Sequence, residues 1–418
     1  MKPFIQWPID ARSPSSPQFA TEMVKATLDA AIGCGASDVH FQPRSATWEI
    51  SFRIDGVLQP VESFDRSEES DPVARLMALA GLPSYRGGVP QEGPLRWTTQ
   101  HGDEREMRVG VFPTVHGTRA AIRIMDRRES IRDLDQLGFD DNIKVQLQSI
   151  CDATDGWLLV AGPAGSGKTT TLYACLNRIA SHPTGPHEVG SGQPRRSVLT
   201  IEDPVESVID SISQSQLQPM TGLTLASALR AAVRQDAEVL LVSEIRDVET
   251  ADAVLAASMT GHLCFSSIHA GSIGSTLRRL VQMNLPTFAI QSGLRGILCQ
   301  RLLRRRCAAC EGRSRITDDA CHCCHGTGYD GRVPIAQAVT FDGAEAGQSI
   351  FDALVQHRPA HEIDEIATRA GVESLRTQAT RLVEQGQTDE AEVYRVLGTS
   401  MSSKIGINDD QAPGSNLK

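Results

Sequence analysis

The chain has 418 residues, of which 40% are apolar, 22% are charged and 5% are aromatic. This composition predicts a globular protein of about two to four domains and excludes a wholly disordered chain, a collagen and a coiled-coil rod. The net charge of −10 disfavours a nucleic-acid-binding protein, because affinity for nucleic acid comes mostly from lysine and arginine. The sequence has neither an apolar run of about 18 residues nor an apolar signal segment at its start, so we expect a cytoplasmic protein.

The first third of the chain predicts a small α+β domain that follows a flexible arm. The arm is predicted at residues 1–17, which contain four prolines. The domain is predicted at 18–125 and begins with an amphipathic helix at 21–32, which Gly33 ends. Alternating apolar residues predict its strands, at 38–41, 48–54, 105–112 and 118–125.

The sequence pattern changes after a charged segment at 126–137, which we interpret as a linker. From residue 138, strand-like runs alternate with helical patterns, which is typical of an α/β domain with a mostly parallel sheet. A loop rich in proline, glycine and serine is predicted at 181–197. The predicted parts of the region are an α/β core at 138–306, a cysteine-rich subdomain at 307–332, a helical region at 333–398 and a disordered tail at 399–418.

A glycine-rich segment follows the apolar run Trp157–Ala161, which predicts a buried strand. The segment from Gly162 to Thr169 fits G-x-x-x-x-G-K-[ST] in the strand–loop–helix context that this phosphate-binding motif requires. In such a loop backbone N–H groups surround phosphate oxygens, Lys168 reaches the β- and γ-phosphates, and the Thr169 hydroxyl binds Mg²⁺. The predicted nucleotide-binding residues are Gly162, Pro163, Ala164, Gly165, Ser166, Gly167, Lys168, Thr169 and Thr170.

Two further apolar runs are followed by glutamates that are candidates to support the metal ion and to orient an attacking water. Glu202 follows the run at 198–201, and Glu244 follows shortly after the run at 239–242. Residues at the ends of parallel strands point into the crevice that binds the ligand. The alternative is that both glutamates are ordinary solvated strand ends.

Two C-x₂-C pairs predict a zinc site. They are separated by ten residues, and the four cysteines that fit best are Cys307, Cys310, Cys321 and Cys324. Four thiolates leave no open position on Zn²⁺, so we expect a structural site without catalysis. The second pair also fits a zinc motif of DnaJ-type chaperones, but that module repeats its motif four times and this chain has one full copy.

Together these motifs resemble the hexameric ATPases of type II secretion and type IV pilus assembly, in the secretion and pilus-extension branch. The segment 162–174 resembles the Walker A region of that family, and 200–206 resembles its acidic box. The other resembling segments are the Walker B region at 222–247, the histidine box from Thr260 to His269, and the first-domain signatures at 36–40 and 52–58.

The resemblance implies a RecA-like P-loop ATPase domain after a small α+β domain, with a zinc-binding insertion and a C-terminal helical region. It implies Mg²⁺-dependent ATP hydrolysis in a homohexamer, with Arg108 and Arg123 near the γ-phosphate. His262 and His269 would sense the γ-phosphate or pass its loss to a neighbouring subunit. Either glutamate could orient the water while the other supports Mg²⁺. The implied partners are an inner-membrane platform protein and a cytoplasmic adaptor, which would attach the protein peripherally to the membrane, and no nucleic acid is expected.

Two departures from the family pattern leave alternatives open. Ser243 stands where the family has glycine, and Ala270-Gly271 replace a usual Thr-Asn pair. A ring that binds nucleotide but scarcely hydrolyses it would then serve as an assembly scaffold. A retraction or conjugation-type ATPase is a further alternative, although retraction members lack the paired cysteines, and a nucleic-acid motor fits the charge poorly.

Overall fold

The computed structural model describes residues 19–66, 71–86, 88–99, 102–125, 133–181, 196–217, 222–313, 321–343 and 345–398. The predicted arm at 1–17 and tail at 399–418 lie outside the described residues, as do 182–195 of the predicted loop and 126–132 of the predicted linker.

The first domain is an antiparallel sheet with two helices on one face. Its sheet order is β3-β2-β1-β6-β5-β4, and every neighbouring pair is antiparallel. The strands are β1 (Asp38–Pro43), β2 (Thr47–Ile54), β3 (Val57–Asp65), β4 (Gln91–Thr98), β5 (Glu104–Thr114) and β6 (Gly117–Ile124). The helices are α1 (Phe19–Gly33), α2 (Pro72–Leu79) and a 3₁₀ turn at Ser84–Arg86.

The alternation of apolar and polar residues along the strands determines which face of this sheet the two helices cover. In β1, Val39 and Phe41 are fully buried and pack with the apolar residues of α1 and α2. Asp38 and His40 alternate with them in sequence and therefore point to the other face. The helix predicted at 21–32 and the strands predicted around it are all present, and most of them are one to three residues longer than the apolar pattern.

The second domain is a seven-stranded sheet with helices on both faces. Its order is β13-β12-β7-β11-β10-β8-β9, and all neighbours are parallel except β12 and β13. The strands are β7 (Gly156–Ala161), β8 (Val198–Glu202), β9 (Ser213–Gln216), β10 (Val239–Val242), β11 (Leu263–Ile268), β12 (Leu294–Arg306) and β13 (Tyr329–Thr340). The helices are α3 (Asp141–Cys151), α4 (Lys168–Ser181), α5 (Leu225–Ala232), α6 (Val248–Met259), α7 (Ile273–Gln282), α8 (Thr287–Gly293), α9 (Glu345–Val355), α10 (Ala360–Arg369), α11 (Leu375–Glu384) and α12 (Glu390–Leu397).

The central strand β7 shows why its sequence is a continuous apolar run. Leu158 and Val160 pack against α3 and α4 on one face, and Trp157 and Leu159 pack with the layer of α5 to α10 on the other. A parallel strand covered on both faces has no solvent-facing side, so it shows no polar alternation.

Two segments differ from their sequence predictions. Leu134 and Leu137, at the end of the predicted linker, form a 3₁₀ turn and are buried against α4, so residues 134–137 are part of the second domain. Residues 333–340, predicted to begin a helical region, instead complete β13. Their backbone pairs with β12 in antiparallel register, and the helices begin only at Glu345.

The last helix is fixed to β12 by a buried ion pair. The carboxylate of Glu392 in α12 accepts hydrogen bonds from the backbone N–H and the Nε of Arg304, both 2.9 Å long, and from Arg395. Its side chain is completely buried. Burial alone raises the pKa of Glu392, but the hydrogen bonds from Arg395 and Arg304 outweigh it and hold the pKa below the ordinary value.

We predict that Glu392→Gln lowers the free energy of unfolding by about 3 kcal/mol at pH 7, because two arginines lose a buried charge partner. A carboxyl whose pKa is lowered in the folded state contributes stability above its unfolded pKa and loses it as the pH falls. The difference between variant and wild type should therefore shrink below about pH 4. Urea unfolding at pH 7 and at the lowest pH where both remain folded tests this, with Glu390→Gln, an exposed glutamate in the same helix, as the control. A difference independent of pH would contradict the prediction.

Candidate functional site

The glycine-rich loop lies between β7 and α4, and its backbone requires glycine at three positions. Gly165 and Gly167 have φ of +73° and +87°, in the left-handed region that favours glycine. A Cβ on Gly162 would lie 2.7 Å from the carbonyl oxygen of Gln300. The helix α4 begins at Lys168, so its free N–H groups and positive end face the loop, as anion binding requires.

Lys168 is folded back onto this loop. Its Nζ donates to the carbonyl oxygens of Gly162 at 2.9 Å and Pro163 at 3.0 Å. Burial lowers the pKa of Lys168, while the carboxylates of Glu244 and Glu206 act in the opposite direction. The lysine therefore lies among weak neutral acceptors, which a phosphate can replace, and two acidic groups lie close enough to influence it.

Glu244 lies at the same edge of the sheet, just beyond β10. One carboxylate oxygen is 3.0 Å from Nε2 of His269, and the other accepts a 2.9 Å hydrogen bond from Nε of Arg246. The side chain keeps 17% of its surface exposed. Glu244 is thus oriented by two neighbours and still accessible from the crevice.

Glu202 has a different environment, although it also ends a strand of this edge. It is 1% exposed, and its carboxylate accepts hydrogen bonds from the hydroxyls of Tyr173 and Thr200 and from Nε2 of Gln214. Burial and then the bond to Glu202 raise the pKa of Tyr173, so this phenol stays a donor. Three protein donors already occupy the oxygens of Glu202.

The structure separates the other predicted residues from the loop. His262 precedes β11, at the opposite edge from His269, and six strand residues correspond to about 20 Å. It therefore cannot reach a phosphate bound to the loop of its own chain, and it bonds the carbonyl oxygen of Ala257 instead.

Arg108 and Arg123 face each other on β5 and β6. Arg108 pairs with Glu92, and within the described residues no hydrogen bond or ion pair joins either arginine to the glycine-rich loop.

Two residues near the loop were not predicted as site residues. Gln300 in β12 is 1% exposed, and its amide bonds the carbonyl oxygen of Ser166 and the hydroxyl of Thr171. Its position in the apolar run of β12 is the sequence feature that could have revealed it, because a buried amide needs partners. Glu206 belongs to the acidic box, and its backbone N–H donates to the hydroxyl of Tyr173 in α4 at 3.3 Å, which places it near the loop.

The four predicted cysteines come together at the tip of the β12–β13 hairpin. The sulfur atoms of Cys307, Cys310, Cys321 and Cys324 all lie within 4.8 Å of one another. The shortest separations are 3.6 Å between Cys310 and Cys324 and 3.9 Å between Cys307 and Cys321. Cys323 is exposed and outside the group. Four thiolates at this spacing could hold a zinc ion.

The fold and these sites define a P-loop ATPase of the secretion type. The chain belongs to the family of type II/IV secretion system proteins, whose sequence profile matches residues 15–395. The family predicted from the motifs is thereby confirmed.

Two relatives illustrate the similarity within this family. The type II secretion system ATPase E of Vibrio cholerae is 34% identical over 398 residues, which cover 91% of this chain and 75% of that protein. The type IV pilus assembly ATPase TfpB of Acinetobacter baylyi is 33% identical over 401 residues, which cover 91% of this chain and 66% of that protein.

Solved structures confirm the predicted α/β fold class. The X-ray structure of the ATPase DotB from Legionella pneumophila matches with a TM-score of 0.67 at 20% identity, over 93% of this chain and 98% of that one. At this identity the similarity shows the fold alone. No helix in the described part of the chain has the length and apolar character needed to span a membrane.

Proposed function

We propose that the protein is a Mg²⁺-dependent ATPase that supplies mechanical work for assembly of a type II secretion pseudopilus or a type IV pilus. The observation that carries this proposal is that Glu244 and His269 lie at the same edge of the sheet as the glycine-rich loop and Lys168. The named relatives, which are secretion and pilus assembly ATPases, support the same activity.

The loop and Lys168 bind the nucleotide in this mechanism. The backbone N–H groups of the loop after Pro163 and those of the first turn of α4 surround the β- and γ-phosphates. The Nζ of Lys168 exchanges its two carbonyl partners for phosphate oxygens and stabilises the charge that develops on them. Mg²⁺, when bound, would neutralise phosphate charge, and the hydroxyl of Thr169 is an oxygen donor of the kind it prefers.

Glu244 is the residue that we assign to the attacking water. Its accessible carboxylate, held by His269 and Arg246, accepts a hydrogen bond from water and orients it toward the γ-phosphorus. The P–O bond to the β,γ-bridging oxygen breaks, which leaves ADP and inorganic phosphate. Glu202 is assigned the role of holding its neighbours in position. Its oxygens already accept hydrogen bonds from Tyr173, Thr200 and Gln214.

Arg108 and Arg123 complete the site only after a movement or an association. Both lie on the face of the first-domain sheet that α1 and α2 leave open, and neither bonds the loop of its own chain within the described residues. We propose that a ring of identical subunits, a hexamer as the resemblance implies, brings these arginines to the γ-phosphate. Arginine is suited to this role because it stays charged and binds phosphate oxygens in a bidentate manner.

The partners follow from the same proposal. An inner-membrane platform protein and a cytoplasmic adaptor would receive the work of hydrolysis and hold the ring peripherally at the membrane, and no nucleic acid is required. We further propose that the cysteine group binds a structural Zn²⁺ that fixes the tip of the β12–β13 hairpin.

We predict that the purified protein hydrolyses MgATP and that Glu244→Gln lowers kcat by at least about 100-fold while nucleotide still binds. Lys168→Ala should abolish binding, because the loop loses its phosphate-binding cation. Glu202→Gln is the matched control, because it makes the same chemical change at a buried carboxylate. It should lower the melting temperature, and it should lower kcat by less than Glu244→Gln does. Steady-state turnover, nucleotide titration and light scattering on the same samples test this. Nucleotide binding without turnover in an assembled ring would instead favour the scaffold function.

We predict that protein purified without chelators contains about one Zn²⁺ per chain. Cys324→Ser should lose the metal and lower the melting temperature, because the hairpin tip loses a ligand. Cys323→Ser should keep both, since this cysteine lies outside the group. Elemental analysis and thermal unfolding of the three proteins measure this. Zinc-free wild-type protein, or equal losses in the two variants, would show that the assignment is wrong.

A further inference from the structure

Strand β12 passes directly beside the glycine-rich loop. It pairs in parallel with β7, and the last register pair joins Cys299 to Ala161, the residue before Gly162. The next residue, Gln300, therefore lies level with the loop itself. Its carbonyl oxygen is the atom that a Cβ on Gly162 would meet at 2.7 Å.

The side chain of Gln300 joins the end of the glycine-rich loop to the first turn of α4. Its Nε2 donates to the carbonyl oxygen of Ser166 at 2.6 Å, and its Oε1 accepts from the hydroxyl of Thr171 at 2.9 Å. Ser166 is near the end of the loop and Thr171 is in the first turn of α4. The glutamine is 1% exposed, so water cannot replace either bond cheaply.

The bond to Ser166 has a consequence for the neighbouring amide. In a trans peptide the carbonyl of one residue and the N–H of the next point in opposite directions. A carbonyl of Ser166 held toward β12 therefore directs the N–H of Gly167 away from β12. After this peptide the backbone turns at Gly167 with a left-handed φ of +87°, a conformation that glycine adopts readily.

We infer that Gln300 is a positioning residue for nucleotide binding, because it fixes the peptide between Ser166 and Gly167 so that its N–H faces the phosphates. The inference rests on the proposed function and adds a residue to it. A neutral amide suits the position, since it donates to the loop carbonyl and accepts from Thr171 without bringing negative charge near the phosphates.

Gln300→Met tests this inference, because methionine keeps the length of the side chain and removes both hydrogen bonds. The matched control is Gln378→Met. Gln378 is also buried, and it also makes two hydrogen bonds with a strand, to the backbone of Ala336 in β13, but it has no bond to the loop. The probe is the N-methylanthraniloyl derivative of ADP, titrated by fluorescence in full-length protein, with kcat, KM and melting temperature measured on the same samples.

The inference predicts that Gln300→Met raises the Kd of the probe and the KM for ATP by about tenfold, or about 1.4 kcal/mol, with kcat changed by less than about threefold. Gln378→Met should lower the melting temperature to a similar degree with affinity unchanged. Wild-type affinity in Gln300→Met, a loss confined to kcat, or equal weakening in both variants would overturn the inference.

A second variant keeps the test decisive if Gln300→Met does not fold. Thr171→Val removes only the bond to Oε1 of Gln300 and should weaken probe binding by about threefold, whereas unchanged affinity would overturn the inference. Folded wild-type protein that binds no probe would instead contradict the proposed function, so the two failures are distinguishable.

Discussion

Parallel pairing of β7, β11, β10 and β8 brings the carboxyl ends of four strands to one edge of the sheet. Those ends carry the glycine-rich loop, His269, Glu244 and Glu202. Backbone groups within these strands are used in pairing with their neighbours, and ligands of open parallel sheets bind beyond the carboxyl ends of the strands. The position of α4 after the loop adds the N–H groups of a helix start at the same place.

The β12–β13 hairpin connects this edge to the rest of the chain. Near its middle, β12 bonds the glycine-rich loop through Gln300, and at its tip the hairpin carries the cysteine group. Beyond the tip, the backbone N–H of Gly331 donates to Asp55 in the first domain at 3.1 Å, and Arg332 lies 3.8 Å from the same carboxylate. The described residues of this hairpin thus contact the nucleotide site and the first domain, and they carry the proposed zinc site.

Much of the fold could be predicted from the sequence, because its patterns are local. Alternation predicted β1 and β2, and the apolar run at 157–161 predicted β7. Residues 333–340 were misjudged because their pairing with β12 is a contact between segments separated in the chain by the cysteine group. Propensity alone does not reveal such a partner.

The candidate site was predictable in its motifs and less so in its geometry. Spacing identified the loop and the four cysteines, whose geometry the structure describes. Spacing could not distinguish Glu202 from Glu244, since the difference is the set of donors from Tyr173, Thr200 and Gln214 that surrounds only Glu202. The distance of His262 from the loop follows from the direction of β11, which the motif itself does not contain.

The function that we propose requires the first domain to supply arginine to a nucleotide that the second domain holds. Single-turnover hydrolysis by Arg123→Ala, with nucleotide affinity measured in parallel, tests it most directly. Arg119→Ala, an arginine four residues away on the same strand face, is the control. We predict that Arg123→Ala keeps its nucleotide affinity and loses about 1,000-fold in the rate of hydrolysis, with Arg119→Ala close to wild type. A rate unchanged by the loss of Arg123 would contradict the claim.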